Sequence, residues 1–148
     1  MVGRVIDANG EAPGRFHVHV VEDVGPPMEP PRFSQWGDVH PDGTFELRDL
    51  ADARYNVLAG SDILGFAFAP GLQPGVRPLL RLEVGWVDIV VRDPNGAEAA
   101  GARVAVTAIQ GRKIRGVFGR TDDRGKVELY VPTGDLEIKA VSRDGAQG

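Results

Sequence analysis

Cysteine is absent from this chain of 148 residues, and with it go disulfides, zinc–thiolate centres and thiol nucleophiles. The lack says little about compartment, because exported proteins without cysteine are common. No apolar run approaches the roughly 20 residues of a membrane-spanning helix, so no membrane insertion is expected. Serine is confined to Ser34, Ser61 and Ser142, none of them in the glycine-flanked elbow of a hydrolase nucleophile. Lysine occurs only as Lys113, Lys126 and Lys139. A capped helical period is missing too; residues 49–54 have room for one helical turn at most. The first residues enter a strand pattern at once, without a charged-then-apolar leader. The chain is therefore expected either to stay where it is made or to be a piece of a longer protein.

Present instead are 20 glycines and 11 prolines set among alternating apolar and polar residues, the mark of many short strands joined by tight turns. In Val87-Asp88-Ile89-Val90-Val91 the odd positions share one strand face; Phe16-His17-Val18-His19-Val20 and Lys126-Val127-Glu128-Leu129-Tyr130 alternate the same way. His40-Pro41-Asp42-Gly43 and Asp122-Asp123-Arg124-Gly125 put glycine where a hairpin turn needs positive φ. The net charge of −4 is uneven: residues 1–84 carry −5 and residues 85–148 carry +1, with a local +4 over 112–126. Without interleaved aromatics or an overall basic balance, that stretch predicts no nucleic-acid binding; its plain role is to keep an edge soluble.

The chain states one pattern twice. At an offset of 86, Asp7 falls on Asp93, Gly10 on Gly96, Val18 on Val104 and Val20 on Val106. At 82, Gly43 falls on Gly125, Phe45 on Val127 and Leu47 on Leu129; at 81, Tyr55 falls on Leu136, Val57 on Ile138 and Ala59 on Ala140. The four-residue difference is the proline-rich loop at 25–31, which the second copy lacks. The reading is all-β: two tandem Ig-like, prealbumin-like antiparallel β-sandwiches, residues 1–84 and 85–148. Val18, Val20, Phe45, Leu47, Tyr55 and Val57 are expected to share one core. Ile89, Val91, Val104, Val106, Val127, Leu129 and Ile138 are expected to share the other. Gly85 alone separates the copies, which predicts a semi-rigid rod. The first copy closes with a strand over 78–84, whereas the second ends without one, which predicts an open sheet edge.

Together, Gly3-Arg-Val5-Ile-Asp7, Pro13-Gly14, Gly43-Thr-Phe45-Glu-Leu47 and Tyr55-Asn-Val57-Leu-Ala59 resemble the carboxypeptidase regulatory-like domain. So do Val91-Arg-Asp93, Ala100-Gly101, Thr121-Asp122-Asp-Arg-Gly125 and Gly134-Asp-Leu136-Glu-Ile138-Lys-Ala140 in the second copy. That family sits in a prealbumin-like group that also holds collagen-adhesin B-type repeats. The resemblance implies seven-stranded sandwiches, no cofactor, and a non-catalytic structural or binding module beside neighbouring domains of a longer chain. It also implies an extracellular or cell-envelope location. His40 stands where the family has Asp, and Leu136 where it has Tyr. The adhesin Lys–Asn crosslink is excluded in the first copy, which has no lysine.

Candidate chemistry is sparse. His17 and His19 point to one strand face, a geometry usable for zinc or copper. No third ligand is fixed by spacing, and both are expected to face solvent opposite Val18 and Val20. Their position before Tyr55 and Tyr130 is the wrong order for the iron ligands of related dioxygenases, and the Tyr-Arg-Gly-Ser ending of related hydrolases is absent. Asp122 and Asp123 suit a turn better than calcium. Trp36 matches Phe118 at the 82 offset, which predicts a core aromatic in each copy. As alternatives, the chain is a carbohydrate-binding module contacting glycan through Trp36, Arg112, Lys113 and Arg115, or a metal-dependent enzyme using His17 and His19. The partner expected is a protein or a glycan.

Overall fold

Alternating residues give strands and positive-φ glycines end them, and the computed structural model follows that division over the residues it describes, 1–25 and 31–142. The chain is all-β, with 14 strands and no helix among the described residues. Most of the proline-rich loop lies outside the described residues.

The first half forms two four-stranded sheets. One has the order β4-β5-β1-β8, built from β1 (Val2–Ile6), β4 (Asp38–Val39), β5 (Thr44–Glu46) and β8 (Leu79–Arg81). The other has the order β3-β2-β6-β7, built from β2 (His17–Glu22), β3 (Ser34–Trp36), β6 (Tyr55–Ser61) and β7 (Gly65–Leu72). Every pairing is antiparallel except β1 with β8. All six core residues expected here are buried, and they join Val5 and Leu80 in one cluster between the sheets. Gly3 faces Phe45 across β1 and β5, and a Cβ at Gly3 would collide with the Phe45 ring.

The second half contributes a pair, β9 (Trp86–Val90) with β13 (Lys126–Tyr130). It also contributes β10 (Arg103–Ile109), which pairs with β11 (Arg112–Lys113), β12 (Phe118–Arg120) and β14 (Leu136–Val141). Its pairings repeat those of the first half up to Val106, beyond which a bulge in β10 shifts the register with β14 by one residue. Val18↔Ala59 and Val20↔Val57 become Val104↔Ala140 and Val106↔Ile138; Gly3↔Phe45 becomes Ile89↔Val127. The turns repeat as well. Asp7 Oδ1 accepts from the Asn9 and Glu11 N–H groups at 2.8 and 2.9 Å, and Asp93 Oδ1 accepts from Asn95 and Ala97 at 2.9 Å each.

The repeat is incomplete. β6 lies between β2 and β7, but among the described residues β14 pairs only with β10; β1 lies between β5 and β8, but β9 pairs only with β13. Ile138 was expected in the core and is not. It is 40% exposed, whereas its counterpart Val57 is fully buried; among the described residues no second strand flanks β14 as β7 flanks β6.

The copies also touch over more than the Gly85 joint. The outer face of β2-β6-β7 is covered by the second half: Leu58 belongs to the second apolar cluster with Ile109, Ile114 and Val117, and Phe66 and Phe68 pack on it. All seven residues of β6 are therefore buried. Asn56 ties this contact together. Its Nδ2 donates to Asp23 Oδ1 at 3.0 Å and to the Lys113 carbonyl at 3.1 Å, and its Oδ1 accepts from the Gly71 N–H at 3.0 Å.

Candidate functional site

The residues singled out by sequence converge on the contact between the two halves. β2 carries His17 and His19 on its outer face because Val18 and Val20 occupy the inner one. That outer face does not meet solvent, which corrects the expectation for the pair: His19 is 5% exposed and His17 half-buried. The Trp36 ring lies 4.6 Å from the His19 ring and 5.5 Å from the His17 ring, centre to centre, and Phe66 lies 6.2 Å from His17. Gly60, opposite His17, leaves the imidazole its space, since a Cβ there would sit 2.6 Å from His17 Nε2.

His17 Nε2 and His19 Nδ1 are buried without a hydrogen-bond partner. Protonating either ring would place a charge in that site, and desolvation holds both below the ordinary histidine range. Burial lowers His17 while the Asp62 carboxylate opposes it. Burial first, then the Arg115 guanidinium and His17, lower His19 to about 4. Both rings are therefore neutral at pH 7. No group of three His, Cys, Asp or Glu side chains among the described residues is placed to hold a metal ion. His40 sits apart in the exposed β4–β5 turn, where its N–H donates to the Thr44 carbonyl at 2.9 Å.

Trp36 departs from its expected place. It and Phe118 are 58% and 60% exposed, not core residues. The equivalence between them holds: Trp36 pairs with His19 as Phe118 pairs with Ala105. Both point to the outer face of their sheets, a choice that alternation leaves open.

The three cations divide. Arg112 forms an ion pair with Asp23 across the contact between halves. Lys113 is 3% exposed and buried at the same contact. Arg115 is exposed, and its Nη1 donates to Ser34 Oγ at 3.4 Å. Asp122 works in its turn, accepting from the Arg124 and Lys126 N–H groups at 2.8 and 3.0 Å, which lowers its pKa.

Sequence reasoning missed Asn56 and Asp23, which carry no motif. It also missed a groove of about 360 Å³ on the outer face of β10, β12 and β14, between Phe118 and Lys139. The repeat held that signal, because it sets Ala105 on His19 and Lys139 on Leu58. Comparison with protein-family models, curated proteins and solved structures finds no match.

Proposed function

We propose that this chain is a non-catalytic structural or binding module of a larger exported or cell-envelope protein. One observation supports the reading above the rest: two of its candidate cations are engaged where the two halves meet, and its histidine pair is packed among aromatic rings within the first half. His17 and His19 pack against Trp36 and Phe66, Arg112 pairs with Asp23, and Lys113 is buried. Residues used this way hold a shape. Two repeat units locked side by side suit a spacer that fixes the distance between whatever it joins.

An antibody against this chain tests the reading in the source cells. The expected result is a polypeptide heavier than the 15.9 kDa of these residues, in the extracellular or envelope fraction. A single cytosolic band at that mass overturns it. A second reading, a carbohydrate-binding module, draws support from the exposed aromatics Trp36 and Phe118.

A further inference from the structure

The repeat supplies an internal control for the groove on the second half. In the first half, the corresponding face carries His17, His19 and Leu58 beside Trp36 and is neutral at pH 7; its imidazoles pack against Trp36 and Phe66, and Leu58 is buried against the second half. In the second half the same positions read Arg103, Ala105 and Lys139 beside Phe118. Replacing an imidazole by a methyl group removes the filling between the aromatic ring and the neighbouring strand. Replacing Leu58 by a lysine makes the face unsuitable for stacking a further apolar sheet on it, since burying an unpaired ammonium is costly.

What remains is an open groove with Ala105 as its floor, Phe118 on one side and Lys139 on the other. Arg103, Arg115 and Lys139 line it, and no carboxylate among the described residues does. The Arg103 guanidinium lies 5.4 Å from the centre of the Phe118 ring. Trp36 continues the aromatic surface past Gly116, where a Cβ would stand 3.5 Å from its ring. Exposed rings offer stacking faces to the C–H side of a sugar, while arginine and lysine recognise carboxylate or sulfate.

We propose that this groove binds an anionic saccharide, a sugar chain bearing carboxylate or sulfate groups. One sugar ring stacks on Phe118, and its acidic substituent meets Arg103 and Lys139. The proposal rests on the carbohydrate-binding reading and adds to it a place and a ligand class. Its failure leaves the structural-module reading standing, because fractionation tests that separately.

Calorimetric titration with an oligogalacturonate and with a heparin hexasaccharide distinguishes carboxylate from sulfate recognition, with a neutral cello-oligosaccharide as control. Binding of either acidic sugar but not the neutral one is expected, weakened in about 0.5 M salt where charges are screened. Ala105→His restores the filling of the first half and should weaken binding about tenfold or more without changing the melting temperature; Lys139→Glu should do the same through charge. Absence of binding to both acidic sugars overturns the proposal. So does equal binding by polyglutamate or a single-stranded oligonucleotide, which would mean charge attraction alone. Undiminished binding by both variants overturns the location.

Discussion

His19 shows how a residue's chemistry is set by its neighbours. Its imidazole is held near 4 against an ordinary 6.5, chiefly by burial, so on acidification the unfolded chain takes up the proton first. Stability is therefore full above pH 6.5, falls as the pH drops, and levels off below about 4. Linkage puts the loss between pH 7 and pH 5 at about 2 kcal/mol for this group alone, and the lowered His17 adds to it in the same direction. Urea unfolding at the two pH values measures it. The wild-type midpoint should fall on acidification, and His19→Gln should lose about 2 kcal/mol less. Equal losses in both proteins would show that His19 does not carry the effect.

At the scale of single elements, β6 and β14 are the same strand in different surroundings. β6 is paired on both edges and buried on both faces, whereas among the described residues β14 is paired on one edge, and none of its residues is fully buried. Amide hydrogen exchange should reflect this directly. Residues 136–140 are expected to exchange faster than residues 55–59, and equal protection would show that β14 is completed by another route. The strands and their inward faces were readable from sequence, because a period of two sorts alternate residues to opposite faces. With Val20 opposite Val57, the offsets carry the same pair to Val106 opposite Ile138. What could not be read was which outward face becomes covered. His19, Trp36 and Lys113 all sit on outward positions, and their different fates depend on where the second half lies. That is a tertiary fact without a local signature. The groove at Ala105 was readable in principle, by asking where the copies differ in size rather than where they agree.

At the scale of the whole molecule, the two halves behave as one body through Asn56, the Arg112–Asp23 pair and the shared burial of Leu58. Yet their strands are paired by one register, so during folding each strand meets two acceptors of nearly equal backbone geometry. Neighbouring copies of like sequence are prone to misassembly of this kind. The Gly3–Phe45 pair separates them. A strand bearing Phe45 laid against Ile89 is overfilled, and a strand bearing Val127 laid against Gly3 leaves a void, each a cost of about 1–3 kcal/mol. Making the first half like the second, with Gly3→Ile and Phe45→Val together, should slow refolding and increase the misfolded fraction in stopped-flow experiments. Unchanged refolding kinetics would remove the pair from this role. On this expectation the glycine under Phe45 is an address, which tells β5 and β13 which partner is their own.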